Sequence, residues 1–86
     1  MSLVLYVKTW CPWCTLAIEA LDSLKLPYTV CDIEKDHSGA ARMRALSGQT
    51  RVPTLEAGAF CLADFGPEEL VPFLRKNGIL PPPALP

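Results

Sequence analysis

Eighty-six residues, half of them apolar and a fifth charged, with 8 basic against 9 acidic side chains for a net charge of −1, describe one small domain. A chain of this length buries only about 60% of the surface it exposes when unfolded, so its core is small and any site must be compact. The balanced charge leaves no broad field to hold a polyanion, which excludes nucleic acid and anionic membrane surfaces as main partners.

No apolar run approaches the ~18 residues of a membrane span, and Met1-Ser2 lacks the basic start and apolar run of a secretory signal. The expected location is therefore the cytoplasm, and the expected state a monomer. Four cysteines are too few to staple a miniprotein, so reduced thiols are expected, and their spacing decides whether they carry chemistry.

In chain order, Leu3 to Val7 is a short β-rich run without alternation, the pattern of a strand covered on both faces in a central parallel position. From Thr15 to Lys25, Thr15, Glu19 and Asp22 fall on one helical stripe while Leu16, Ala17, Ile18, Ala20, Leu21 and Leu24 fill the remaining arc, predicting a largely buried helix. Leu26-Pro27 ends it. Tyr28 to Ile33 reads as a second strand, which makes a βαβ unit with parallel strands. Asp36 or Ser38 caps a second helix through Ala40, Ala41, Met43 and Leu46 that Gly48 ends. Thr54 to Glu56 and Ala59 to Leu62 follow as strands joined through Ala57-Gly58. A last helix opens at Pro67 with Glu68 and Glu69 at its positive end and closes on Arg75 and Lys76 before Gly78. Pro72 inside it predicts a kink or a late start. Residues 1–78 thus form the domain, and residues 79–86 a proline-rich tail, most simply stiff and extended.

The chemistry concentrates at Cys11-Pro12-Trp13-Cys14, where the first strand hands over to the first helix. Pro12 suits the first helical position, which puts Cys11 at or near the N-cap with its sulfur facing free backbone N–H groups. Those donors and the helix dipole favour a thiolate, and motifs of this type bring a cysteine pKa from ~8.5 to about 3.5–7.5. Cys11 is then the nucleophile. Cys14 stands one turn on, near enough to close a disulfide with it; being deeper, it stays protonated and acts as the resolving thiol. Cys31 and Cys61 have no close partner in sequence, which argues against a zinc site and makes them small apolar strand residues. His37 has no partner cluster and reads as a solvated helix-start residue.

Around this pair, Trp10 and Trp13 either rim the thiolate as a contact surface or simply pack, and Lys8 either adds positive charge there or is an ordinary solvated lysine. Pro53, directly before a short strand, either starts that strand in the trans form or carries a cis bond. A cis bond would turn the Val52 backbone outward, where its N–H and C=O pair with a bound thiol peptide.

Lys8-Thr9-Trp10-Cys11-Pro12-Trp13-Cys14, the βαβ unit, Val52-Pro53-Thr54 and the final strand pair together resemble a glutaredoxin of the thioredoxin fold, from about Leu3 to Asn77. The resemblance implies an α/β fold in the order βαβαββα, with a four-stranded mixed sheet ordered 2-1-3-4 and three helices. It also implies a dithiol mechanism for Cys11 and Cys14, a cis bond at Val52-Pro53, and thiol-ligand contacts from Lys8, Trp13, Arg51 and Val52; Trp10, Pro12, Pro53 and Asp64 complete the candidate thiol-binding set. Two departures stand out. The Gly-Gly-x-Asp-Asp segment of glutathione-using members is replaced by Leu62 to Glu69, with Asp64 as an out-of-register remnant, and Arg51 occupies a place where many relatives have threonine or serine. A guanidinium can clamp a carboxylate at two points.

The pattern is similar to the mycoredoxin-like and ribonucleotide-reductase-associated redoxin branches. This implies a thiol-disulfide oxidoreductase without tightly bound cofactor, acting on disulfide-containing proteins such as ribonucleotide reductase or a peroxide-detoxifying enzyme. Its electrons would come from glutathione, mycothiol or bacillithiol, or from a flavoprotein thioredoxin reductase. Two other classes compete: a carrier in which Cys11 of two protomers and two external thiols hold an iron-sulfur cluster, and a redox-inert adaptor using the proline-rich tail.

Overall fold

The computed structural model describes residues 2–81. Its elements run β1 (Leu3–Val7), α1 (Pro12–Ser23), β2 (Thr29–Asp32), α2 (His37–Ser47), β3 (Thr54–Ala57), β4 (Phe60–Ala63) and α3 (Pro67–Lys76). The sheet is ordered β2-β1-β3-β4, with β1 parallel to β2 and antiparallel to β3, and β3 antiparallel to β4. This is the α/β, thioredoxin-like architecture that the sequence predicts.

Side-chain alternation sorts the two faces of the sheet. Leu3, Leu5 and Val7 of β1 and Leu55 and Ala57 of β3 pack with Cys14, Ala17 and Leu21 of α1, Leu70 and Leu74 of α3, and Phe65. The opposite face carries Tyr6, Thr54 and Glu56, under α2, whose one buried side chain is Met43. Because β1 is central, four of its five residues are buried, which is why its sequence does not alternate.

Several local readings shift. Helix α1 stops at Ser23, with Lys25 in the left-handed conformation (φ 56°) just beyond it. Leu16 is 40% exposed, because among the described residues α1 packs against the sheet and α3 and its outer face has no cover. Asp36 rather than Ser38 caps α2, its carboxylate accepting from the Gly39 N–H at 2.9 Å while Ser38 donates its hydroxyl to the same carboxylate. A Cβ at Gly39 would collide with Cys31 Sγ, so any larger residue there requires that side chain to move. The β3–β4 turn is Gly58-Ala59, one residue later than predicted: Ala57 pairs with Phe60, and Gly58 takes φ 61° as the first residue of the two-residue loop.

Helix α3 runs without interruption through Pro72, starting at Pro67. The proline faces solvent, so the carbonyl left without an N–H partner is open to water and the helix need not begin late. Past Gly78, Ile79 and Leu80 both donate their N–H groups to the Leu74 carbonyl and pack against the core. The tail reading for residues 82–86 falls outside the described residues.

Candidate active site

The reactive motif is positioned by three local devices. Cys11 adopts an extended backbone (φ −83°, ψ 115°) as N-cap of α1, and Pro12 opens the helix. The Cys11 N–H donates to the Lys8 carbonyl at 3.3 Å and the Cys11 carbonyl accepts from the Thr15 N–H at 3.2 Å, so the turn is closed on both sides. The Thr9 hydroxyl donates to the Asp32 carboxylate at 2.6 Å, tying the turn to the end of β2.

Within this frame, Cys11 Sγ accepts the Cys14 N–H at 3.3 Å. The sulfur therefore faces the helix opening as the sequence predicts, with one amide bonded to it rather than several. Both thiols are free. Cys11 keeps 8% of its surface exposed and Cys14 only 2%, so the first is the more accessible of a largely covered pair. Burial, reinforced by the hydrogen bond with Cys11, pushes the Cys14 thiol up to about 12, which keeps it protonated at neutral pH.

An apolar rim surrounds the pair. Trp10 and Trp13 are 70% and 56% exposed, and Leu16 stands one turn beyond Trp13 on α1. Lys8 is half-buried and holds its ammonium 5.8 Å from the Trp10 ring centroid, at the outer reach of a cation–π contact. Pro12 is exposed at the tip of the helix.

The Val52–Pro53 bond is cis. No hydrogen bond among the described residues engages the Val52 backbone N–H or carbonyl, leaving both available to an extended peptide. This loop is held by Gln49, which the sequence reading missed. Its amide oxygen accepts the Arg51 N–H at 2.6 Å, and its amide nitrogen donates to the Arg51 carbonyl and to Thr54 Oγ1. A single glutamine in a polar loop carries no spacing signal that would have revealed this.

A groove of about 210 Å³ runs between Trp13, Pro53, Asp64, Phe65, Gly66 and Glu68. Cys11 is not one of its walls; it precedes Trp13 by two residues. Three predicted residues, Trp13, Pro53 and Asp64, thus meet here, and Arg51 reaches the groove by pairing with Asp64 at 3.4 Å. Phe65, Gly66 and Glu68 were not predicted, because only the strand-to-helix connection brings them against Pro53; the Phe65 N–H donates to the Pro53 carbonyl at 3.4 Å.

The remaining cysteines lie apart from the pair. Cys31 on β2 and Cys61 on β4 occupy opposite edges of the sheet, separated by β1 and β3, about 14 Å at ordinary strand spacing. Both thiols are pushed up by burial, with Asp36 adding to the effect at Cys31 and Glu56 at Cys61. His37 is exposed at the start of α2. Among the described residues no three His, Cys, Asp or Glu side chains gather as a metal site, and no helix is long and apolar enough to cross a membrane.

A 2-1-3-4 sheet with a Cys-x-x-Cys turn at the mouth of its first helix and a cis-proline loop defines a thioredoxin-fold redox domain. The glutaredoxin family profile matches residues 3–60. A glutaredoxin of Ricinus communis is 30% identical over 87 residues, spanning 90% of this chain and 85% of that protein. Among solved structures, the glutaredoxin-like NrdH-redoxin of Escherichia coli superposes with a TM-score of 0.74 at 20% identity, covering 96% of this chain and 100% of that one. Buckwheat glutaredoxin, solved as its glutathione complex, gives 0.68 at 23% identity over 92% and 73%. The chain belongs to the glutaredoxin family, and its general activity is that of a thiol-disulfide oxidoreductase.

Proposed function

We propose that this protein reduces protein disulfides, and mixed disulfides between proteins and small thiols, by a two-cysteine cycle. Cys11 Sγ attacks one sulfur of the substrate disulfide; the S–S bond breaks, the departing sulfur leaves as a thiolate and takes up a proton, and Cys11 carries the mixed disulfide. Cys14 then loses its proton and attacks Cys11 Sγ, forming the Cys11–Cys14 disulfide and releasing the second substrate sulfur as a thiol. Two electrons pass from the cysteine pair to the substrate. The observation that carries this reading is the Cys14 N–H bonded to Cys11 Sγ at 3.3 Å, with the Cys14 thiol buried beneath and kept protonated. The amide stabilises charge on the attacking sulfur, and the protonated neighbour waits until the mixed disulfide has formed.

In this reading the pair is returned to its dithiol form by glutathione, mycothiol or bacillithiol, or by a thioredoxin reductase, and the substrates are cytoplasmic disulfide proteins such as ribonucleotide reductase or a peroxide-detoxifying enzyme. The unbonded Val52 backbone supports a peptide partner, docked as a short antiparallel ladder beside the thiols. The likeness to NrdH-redoxin and to a glutathione-bound glutaredoxin keeps both kinds of electron source in view.

The test is substrate trapping. Cys14→Ser accumulates a mixed disulfide on Cys11 that mass spectrometry identifies, whereas Cys11→Ser neither traps substrate nor turns over. Equal trapping by both variants overturns the assignment of roles. Supplying NADPH with each reductase system in turn then names the electron source. A coloured, iron-containing dimer after anaerobic reconstitution would favour the cluster carrier instead.

A further inference from the structure

Two features along the groove beside Trp13 are of the kind that holds an anion: the opening amides of α3 and the Arg51 guanidinium. The N-cap amide of α3 and the guanidinium are each already paired with a carboxylate of the same chain. The Gly66 N–H donates to Glu69 Oε2 at 2.7 Å. Glu68 folds back over the same glycine, its two carboxylate oxygens 2.6 and 2.7 Å from where a Cβ on Gly66 would stand. Arg51 Nη1 pairs with Asp64 Oδ2 at 3.4 Å. Asp64 is held at the groove edge by a left-handed backbone (φ 50°) in the short connection between β4 and α3. Two carboxylates, Asp64 and Glu68, therefore line this wall, with Arg51 already paired to the first, and exposed Trp13 is another of the groove's walls. Lys8, the other cation near the reactive pair, lies over Trp10 and is not part of the groove wall.

We infer that this groove selects the disulfides presented to Cys11 by charge, admitting neutral and cationic partners, such as a disulfide flanked by lysine or arginine, in preference to carboxylate-bearing ones. The inference rests on the two-cysteine reading above and specifies its substrate class. An incoming carboxylate meets Asp64 and Glu68 along the groove, where the Arg51 guanidinium is already paired with Asp64. A cation meets those carboxylates on one side and the face of an indole on the other, both attractive. Asp64 and Glu68 are specificity-determining residues in this account, acting on the approach of the substrate, while the exchange itself stays with Cys11 and Cys14.

A matched series of small symmetric disulfides tests the inference: cystamine as dication, hydroxyethyl disulfide as neutral, dithiodipropionate as dianion. Each oxidises the reduced full-length chain in a single turnover. Each rate constant is divided by that for reduced dithiothreitol with the same compound, which removes intrinsic reactivity and the charge of a bare thiolate. At low salt the normalised rates run dication, neutral, dianion, with the ends at least about fivefold apart, the effect of one unit-charge contact at ~4 Å in water. High salt compresses the series. Glu68→Gln narrows it, and Asp64→Asn, which keeps a residue tolerant of the left-handed backbone, raises the dianion rate by freeing Arg51.

A dianion that reacts as fast as the dication, or a span unchanged in both variants, overturns the charge selection and leaves the two-cysteine cycle standing. Failure of all three compounds, the neutral one included, to oxidise the pair overturns the cycle itself.

Discussion

Cys14 shows how one position carries both stability and chemistry. Its thiol titrates higher in the folded chain than the ordinary value of 9.0 because burial disfavours its charged form. A group whose pKa is raised on folding contributes stability that is intact below its unfolded value and is lost as pH climbs toward its folded value. The reduced protein therefore loses stability to denaturant between pH 9 and about 12. In Cys14→Ser, which does not ionise in that window, the decline is shallower, and equal slopes would remove burial of this thiol as the cause. Accessibility adds a second expectation: iodoacetamide labels Cys11 before Cys14, since the second sulfur is both more covered and held as a thiol.

At the scale of elements, α2 is the least buried of the three helices. Met43 is its only buried side chain, so its docking leans on polar contacts. Arg42 Nη2 donates to Glu56 Oε2 at 2.8 Å, and the Tyr6 hydroxyl donates to Glu56 Oε1 at 2.6 Å. These donors, Arg42 foremost, hold the Glu56 carboxyl below its ordinary 4.5. The stability this gives is present above pH 4.5 and is lost as pH falls through the lowered value. Glu56→Gln should cost about 1–3 kcal/mol at neutral pH, read by urea unfolding, with the gap from the parent protein closing in acid. Gly39 supplies a sharper test of packing. Alanine there would gain about 1 kcal/mol of helix propensity, yet it collides with Cys31 Sγ. Gly39→Ala alone is destabilising, and Gly39→Ala combined with Cys31→Ala is not; additive effects of the two changes would exclude the contact as the reason for the glycine.

For the molecule as a whole, one face of the sheet does most of the apolar work. Leu5 and Leu55 are fully buried between β1, β3, α1 and α3. A chain of this size has roughly 4–13 kcal/mol of total stability. Leu5→Ala, at about 2–5 kcal/mol, removes a large part of it. The loss should appear as a lower midpoint in one cooperative transition by both far-ultraviolet dichroism and tryptophan fluorescence. Separate transitions would mean that the α2 face unfolds independently of the main core.

What the linear order determined is everything encoded within a few residues of itself. The run Leu3 to Val7, the apolar arc of α1, the Pro12 helix start and the polar ends of α3 are all local, because periodicity and capping act over one or two turns. Cys11 and Cys14 were legible for the same reason: three residues along a helix start place two sulfurs together whatever the rest of the chain does. The turn at Gly58 was misplaced by one residue, since pairing register between β3 and β4 is a contact between strands rather than a property of either. Tertiary structure alone decided the exposure of Leu16, the closeness of position 39 to Cys31, the Tyr6–Glu56–Arg42 network and the groove that joins Trp13 to Asp64 and Glu68. Each of these depends on which segments the fold brings together or leaves uncovered, and a sequence carries no measure of that until the sheet has formed.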